Sequence, residues 1–435
     1  MQSTSRIEVD LGAVERNVAV IRRVFARPGA GAAAAPVALC AVLKADGYGL
    51  GAVEIARWLE RSAVEMFAVY SAADAARLAE AGVTTPLLVL MPVESLSFDG
   101  AMHQSVRAGR VHFVMHNEDQ LRALSAGAAL LGAPGTMRLP VHIEVDTGMS
   151  RGGCAPALAR RLAERVALDD RLALAGVFSH FASADRDDAM TAAQAERFSA
   201  WIRDCGPIIP RGCAVHLANS FGVFRSAAHH RDMARVGLAL LGYLAEEAGD
   251  PEHFGLLGAA ADLTPAVRWL TRITHVTRIA PGTSVGYGAA WTAKRPTRLG
   301  LAPVGYADGY PLSLSCRHGS GDASSPGLPG GIVRLRTLGG RMAEAPIAGA
   351  VSMDQITIDL TDIPEGQAGL SSEVEIIGAD RGAATHLPTV ARRAGTISHE
   401  LLCRLSPRLP RKYVVSAGAP EPGPSAGQQR TTRPA

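Results

Sequence analysis

No run of apolar residues in this sequence approaches the length needed to cross a bilayer as a helix, so a helical membrane span is not expected. Cysteine is sparse and unpatterned. The six cysteines stand at 40, 154, 205, 213, 316 and 403, with no Cys-x-x-Cys pair and no Cys/His cluster at zinc spacing. Free thiols in a reducing compartment are expected, and no metal site. Residues Met1 to Asp10 lack an apolar core of the kind a secretory signal carries, which points to a cytoplasmic protein. Charge of one sign is also missing. The 44 basic and 41 acidic residues leave a net charge of +3, without a long basic run, so neither nucleic acid nor a membrane surface is implied as a partner. There is no internal repeat. What remains is an ordinary globular composition, 47% hydrophobic and 20% charged. A chain of 435 residues exceeds what one compact core usually holds, so two domains are expected.

Short apolar, β-branched runs alternate with helical patterns through the first half. The runs fall at 38–43, 66–70, 87–91, 111–115, 139–145, 172–178, 214–218 and 235–241. Helical patterns occupy 13–26, 52–61, 72–81, 95–108, 117–126, 155–167, 188–204 and 221–227. Eight strands alternating with helices suit a (β/α)8 barrel. An open, doubly wound sheet is the rival that counting alone does not remove. The expected barrel spans 11–245, and residues 243–264, rich in Gly, Ala and acid, read as a linker. Beyond it, short strands separated by Gly and Pro are expected at 268–279, 298–304, 332–338, 346–350, 355–360 and 373–377. Together with residues 1–10, segment 262–415 is expected to form a mainly β domain, with one helix over 390–405 and a flexible loop over 316–331. The Pro- and Gly-rich tail, 416–435, reads as disordered.

The segment Ala41-Val42-Leu43-Lys44-Ala45-Asp46-Gly47-Tyr48-Gly49 is the most informative in the chain. An apolar strand ends at one lysine, glycines and a tyrosine follow, and a helical pattern begins near Ala52. A lysine at a strand end in apolar surroundings has a lowered pKa and becomes a nucleophilic amine, able to form a Schiff base with an aldehyde. A plain surface lysine is the alternative. Other reactive residues recur where barrel strands should end: Asp146 to Arg151, Ser179-His180-Phe181, His216 to Ser220, and Arg235 to Leu238. Barrel active sites lie at that face. Each has a plain alternative: a satisfied core histidine for His180, a helix cap for Asn219-Ser220, a surface charge for Arg151. Their joint placement favours a site.

These motifs resemble those of the alanine racemases. Ala41 to Gly49 is similar to that family's pyridoxal-phosphate attachment signature. The likeness continues through Asp146 to Arg151, Ser179 to Asp185, His216 to Ser220 and Arg235 to Gly242. It extends to Gly286-Tyr287-Gly288, Val304 to Tyr310, Ser352 to Gln355, Gly395-Thr396-Ile397 and Ser406 to Arg411, covering about residues 5 to 415. The resemblance implies an N-terminal α/β barrel, a C-terminal β domain and a head-to-tail homodimer with composite sites. It implies that the protein interconverts L- and D-alanine with pyridoxal 5'-phosphate, supplying D-alanine for peptidoglycan. Lys44 and Tyr287 would be the two bases, Tyr287 reaching in from the partner subunit and tuned through His180 and Arg235. Arg235 would meet the pyridine nitrogen. Tyr48, Asn219, Ser220, Gly237, Leu238 and His399 would complete the cofactor site. Arg151 and Met353 would bind the substrate carboxylate, with Tyr306 and Asp354 at the entrance. A barrel decarboxylase or aldolase, or a non-catalytic cofactor-binding protein, would not be expected to show Tyr287 and Met353-Asp354 in this order.

Two positions depart from the family pattern. Glu144 stands where a lysine, often carbamylated, is common, and is expected to replace it in pairing with Arg151. His399 stands where a tyrosine is usual. The smaller imidazole leaves a wider pocket, so serine or a broader substrate range is the alternative to alanine. Val236 and Leu241, in place of a proline and a tyrosine, point the same way.

Overall fold

The computed structural model describes residues 4–26, 36–96, 99–131, 137–244, 256–289, 291–317 and 328–416. After strand β1 (Arg6–Asp10) come eight parallel strands: β2 (Ala38–Val42), β3 (Met66–Val69), β4 (Leu87–Val89), β5 (Val111–Met115), β6 (Leu139–Glu144), β7 (Leu172–Phe178), β8 (Ala214–His216) and β9 (Met233–Val236). They close into a barrel. Closure is made by β9 on β2, in register from Ala38 opposite Met233 to Ala41 opposite Val236. That pairing excludes the open sheet. Side chains alternate along each strand. One set, with Cys40, Val42, Met66, Ala68, Leu88, Val114, Phe178 and Met233, packs together as a separate apolar cluster. The other, with Leu39, Phe67, Val89, Phe113, Ile143 and Val177, joins the larger core shared with the helices.

The eighth strand corrects the expectation. It runs Met233–Val236, and the apolar residues Leu238–Leu241 form a buried 3-10 turn instead of continuing it. An apolar run without alternation does not distinguish a buried strand from a buried turn.

The remainder is mainly β. A six-stranded sheet has the order Met342–Pro346, Ile332–Arg336, Glu373–Ile377, Val267–Arg272, β1, Arg411–Val414. β1 therefore sits among strands from the far end of the chain, antiparallel to Val267–Arg272 and parallel to Arg411–Val414. A second sheet joins His275–Ile279, Thr297–Ala302 and Ile356–Asp359. The strand expected over 268–279 is thus two strands, in two sheets. The helix expected over 390–405 is also two, Leu387–Arg393 and Ser398–Cys403. Gly395 between them has φ +74°, a left-handed conformation that ends the first helix. Within the loop expected over 316–331, Cys316–Arg317 pairs with Leu328–Pro329, and 318–327 lie outside the described residues. Residues 245–255 of the expected linker and 417–435 of the expected tail also lie outside them.

Barrel and β domain are stitched at the helix that follows β1. Asp10 caps Leu11–Phe25 by accepting from the Ala13 N–H. In that helix, fully buried Asn17 donates to the carbonyls of Leu240 and Thr264, both at 2.9 Å, and accepts from the Thr264 N–H at 2.7 Å. Removing a buried group that satisfies three backbone partners costs about 1–3 kcal/mol for each group left without one. Asn17→Ala is expected to lower unfolding stability by about 3–5 kcal/mol, the low end of that sum. Urea denaturation of the two proteins checks this, and a difference under 1 kcal/mol would mean water replaces the amide without loss.

Candidate active site

β2 ends at Val42 and Lys44 opens an unusual turn. Ala45, Asp46, Gly47 and Tyr48 all have φ between 53° and 63° and ψ between 36° and 49°. This is a left-handed helical turn, costing roughly 1–2 kcal/mol for each of its non-glycine residues. The surroundings hold it. The Gly47 N–H donates to the Leu43 carbonyl and the Gly51 N–H to the Asp46 carbonyl, each at 2.9 Å. The Asp46 carboxylate accepts from the Ala52 N–H at 3.1 Å. From the β domain, Arg411 donates to the Gly49 carbonyl and the Tyr413 hydroxyl to that of Leu50, both at 3.0 Å. The turn brings Lys44 and Tyr48 to one cavity.

That cavity, of about 610 Å³, opens at the C-terminal ends of the strands. Lys44, Tyr48, Arg151, His180, Asn219, Ser220, Arg235, Gly237, Leu238 and His399 all line it. Lys44 keeps solvent contact through the mouth. Its surroundings still lower the amine pKa, chiefly by burial, then by the positive charge of Arg151. The nucleophilic free amine is correspondingly more populated near neutral pH.

Arg235 is buried on β9 and makes no ion pair among the described residues. Burial lowers its pKa to about 10, so the guanidinium stays charged at neutral pH. It donates to the Ser179 carbonyl at 2.8 Å, to Nδ1 of His180 at 3.2 Å and to Nδ1 of His216 at 2.8 Å. Its Cζ lies 4.7 Å from the centre of the Phe178 ring. His180 is pushed down to about 3, first by burial and then by Arg235. A neutral imidazole that accepts at Nδ1 carries its proton on Nε2.

Opposite Lys44, the chain is drawn in tightly around Tyr48. A Cβ on Gly237 would lie 2.0 Å from the Tyr48 hydroxyl oxygen, so any side chain there would displace the phenol. Ser220 Oγ accepts from the N–H groups of Gly237 at 3.1 Å and Ala239 at 3.3 Å. The Tyr48 and His399 rings are 5.9 Å apart. Asn219 faces the cavity, but its side-chain oxygen caps Ser220–Arg225 by accepting from the Gly222 N–H.

The loop bearing Arg151 is shaped by Asp146, whose Oδ1 accepts from the N–H groups of Gly148, Met149 and Ser150. Glu144 does not pair with Arg151, contrary to expectation. It lies 2.9 Å from Nε2 of His116. Both line the cavity at neighbouring strand ends, and the carboxylate lies beside Gly152 of the loop while its ion-pair partner is the adjacent imidazole.

Tyr287, Tyr306, Met353 and Asp354 do not line the cavity of their own chain. Tyr287 is 77% exposed, Tyr306 46% and Met353 54%. Tyr306, Met353 and Asp354 lie together in the β domain. The Ala307 N–H bonds the Met353 carbonyl, and Arg408 bridges Asp308 and Asp354 at 2.7 and 2.8 Å.

Sequence reasoning passed over His112, His116, Gly176 and Phe178, whose roles depend on strand register. It also passed over one readable signal. The chain contains three lysines, Lys44, Lys294 and Lys412, and only Lys44 falls in the barrel half.

A barrel whose strand-end cavity holds a lysine of lowered pKa, a charged arginine and a cradle of hydroxyl and backbone groups defines a lysine-dependent enzyme of the cofactor-aldehyde class. The family model "Alanine racemase, N-terminal domain" matches residues 9–245, and "Alanine racemase, C-terminal domain" matches 266–413. The chain is 35% identical to an alanine racemase of Hahella chejuensis over 413 residues, covering 94% of this chain and 98% of that protein. It is 32% identical to one of Cutibacterium acnes, covering 95% and 98%. Among solved structures, the biosynthetic alanine racemase of Pseudomonas aeruginosa superposes with a TM-score of 0.74 at 30% identity, over 95% of this chain and all of that one. The enzyme from D-cycloserine-producing Streptomyces lavendulae gives 0.77 at 27% identity, covering 96% and 98%. The chain belongs to the alanine racemase family, whose members depend on pyridoxal phosphate. Its cavity fits that cofactor: an amine of lowered pKa for the aldehyde, a charged guanidinium, and a cradle at Gly237 that a single methyl would fill.

Gly237→Ala is expected to displace the Tyr48 hydroxyl and weaken pyridoxal phosphate binding by about ten-fold or more, the effect of ~1.4 kcal/mol. Fluorescence titration of the apoprotein with the cofactor measures it. An unchanged Kd would remove Tyr48 from the binding contacts.

Proposed function

We propose that this protein is a two-base, pyridoxal-phosphate-dependent racemase that interconverts L- and D-alanine and supplies D-alanine for peptidoglycan in the cytoplasm. The observation that carries this reading is the separation of two reactive groups. Lys44 lines the barrel cavity, whereas Tyr287 stands exposed in the β domain, outside the lining of that cavity. Racemisation needs a proton removed from one side of Cα and returned on the other, and two bases on opposite sides do this directly. A head-to-tail homodimer would bring one subunit's Tyr287, Tyr306, Met353 and Asp354 to the other's cavity.

When bound, pyridoxal phosphate supplies an electron-withdrawing ring that weakens the Cα–H bond of an amino acid joined to it. Lys44 would hold the cofactor's aldehyde and later exchange a proton with Cα. Tyr48, Ser220 and the backbone near Gly237 would hold the phosphate. Arg235, unable to give up its proton at neutral pH, would donate to the ring nitrogen and leave it unprotonated. Such a ring withdraws fewer electrons, which limits competing reactions. His180, with its proton on Nε2 and Nδ1 bound to Arg235, would donate toward Tyr287 and favour its ionised form. Arg151 would bind the substrate carboxylate together with the Met353 backbone.

Lys44→Ala and Tyr287→Phe are each expected to abolish or severely reduce D-alanine formation from L-alanine. Mixed and refolded together, they should regain activity, because one cavity of each heterodimer has both bases. The yield of D-alanine after mixing, with heterodimers confirmed by differential tagging, is the measurement. Heterodimers without activity would rule out the cross-subunit site.

A second reading, a serine or broad-specificity racemase, is favoured by His399. The imidazole shares the cavity wall with Tyr48, where a phenol would take more space. A hydroxymethyl side chain would fit there and keep a polar neighbour. His399→Tyr is expected to lower the serine-to-alanine ratio of kcat/KM about ten-fold, or ~1.4 kcal/mol. The ratio, measured by D-product formation at saturating cofactor, decides between the readings. If it is unchanged, His399 does not set substrate breadth and alanine is the substrate.

A further inference from the structure

Three histidines run through the barrel interior behind Arg235, each from a different strand. His112 on β5 places Nδ1 2.9 Å from Nε2 of His142 on β6. His142 places its own Nδ1 3.0 Å from Nε2 of His216 on β8. His216 places Nδ1 2.8 Å from a terminal nitrogen of Arg235. His142 and His216 are fully enclosed, and His112, the far end, is half-buried.

The barrel is shaped around this chain. His142 pairs in register with Gly176 on β7, just past a shift in the β6–β7 pairing. A Cβ on Gly176 would fall 2.2 Å from Nδ1 of His142, so any other residue would push the imidazole out of line. Phe178, two residues on, stacks on His216 with ring centres 4.7 Å apart and planes at 19°. The same Phe178 lies against the Arg235 guanidinium. The line of imidazoles thus has space reserved for it and a lid over its end.

The direction of every hydrogen bond in the line follows from one fact. A guanidinium has N–H donors and no acceptor. Nδ1 of His216 must therefore be the bare, accepting nitrogen. Burial holds all three imidazoles well below their usual pKa, His112 at about 4, so each is neutral and carries one proton. The His216 proton is then on Nε2 and is donated to Nδ1 of His142. By the same step, the proton of His142 is on Nε2 and is donated to Nδ1 of His112. All three adopt one tautomer, and every N–H points away from Arg235. The acceptor ends of three aligned dipoles face the buried cation, where no carboxylate forms an ion pair with it among the described residues. A carboxylate there would hold the guanidinium but offset its charge. A neutral acceptor chain holds it and leaves the charge in place for the cavity.

We propose that His112, His142 and His216 are positioning residues, a one-way hydrogen-bonded chain that fixes the orientation and charge of Arg235 from the far end of the barrel. The catalytic consequence rests on the reading of Arg235 as the partner of the cofactor's ring nitrogen. The tautomer pattern rests only on geometry.

Two measurements on the holoenzyme test this. In protein labelled with 15N-histidine, the three imidazoles, assigned by single variants, should each show Nε2–H and bare Nδ1 throughout the neutral range. A proton on Nδ1 of any of them, or a charged ring, overturns the chain. The second measurement uses His112→Leu and His112→Asn, which change the least enclosed member and leave Arg235 intact. Leucine removes the terminal acceptor, whereas the amide oxygen of asparagine can replace it. With 15N in the ring of the bound cofactor, His112→Leu should move the ring-nitrogen shift, and His112→Asn should bring it back toward the parent value. Over the same series, kcat should fall by about two- to ten-fold and recover with little change in KM, less than the loss for a partner one step behind a catalytic or metal-bound group because His112 stands two steps further back. A ring-nitrogen shift unmoved by His112→Leu, with the cofactor bound, overturns the proposal, since mere packing would leave it unchanged. Gly176→Ala, which replaces no histidine but drives a Cβ against His142, should give the same displaced shift, and a parent-like shift in that folded variant also overturns it. Failure of the racemase reading itself would appear elsewhere, as an unsubstituted holoenzyme that forms no D-alanine from L-alanine.

Discussion

The pairing of β9 with β2 is the contact on which the rest of this structure depends. It joins segments nearly two hundred residues apart in sequence and turns a row of strands into a closed barrel. In its register, Arg235 lies opposite Cys40, four residues before Lys44. The lysine and the guanidinium therefore occupy adjacent strand ends, close enough for Arg235 to help lower the Lys44 pKa. Gly237 emerges beside the left-handed turn, where its missing side chain admits the Tyr48 hydroxyl. A shift of one residue would turn Arg235 toward the helices and replace it in the cavity with an apolar neighbour.

Among the described residues no carboxylate forms an ion pair with the buried Arg235 cation, Glu144 acting on it only at longer range; such burial is costly, and the barrel interior is organised around it. The guanidinium is met by a carbonyl, two imidazoles and the face of an aromatic ring. These are neutral partners that orient it without cancelling its charge. The same choice extends through His142 to His112, and Gly176 gives up a side chain to make room. Polar residues in the centre of a barrel are tolerated only when each is satisfied, and here the satisfaction is directional.

The β domain contributes to the cavity in two ways. Within one chain it braces the turn that carries Lys44, through Arg411 and Tyr413, and supplies His399 to the cavity wall. It also presents Tyr287, Tyr306, Met353 and Asp354 outside the lining of its own cavity. The first role explains why β1 belongs to the β-domain sheet. With the N-terminal strand paired to Arg411–Val414, the start and end of the chain together anchor the domain beside the barrel mouth.

The sequence by itself determined the alternation of strands and helices, the change to a mainly β pattern near residue 266, and the lysine at the end of the first barrel strand. Apolar periodicity and turn residues are local properties, and they are legible without a fold. The motifs around Lys44, Arg151, His180, Asn219 and Arg235 were legible for the same reason, since each is a short polar segment ending an apolar run. Where local pattern was ambiguous, tertiary structure decided. Leu238–Leu241 became a buried turn, 268–279 was divided between two sheets, and Gly395 split a helix. The pairing of Glu144 with His116 and the line from His112 to Arg235 were decided only by tertiary structure. Each joins residues on different strands, and strand register, set by barrel closure, is not written in any one segment.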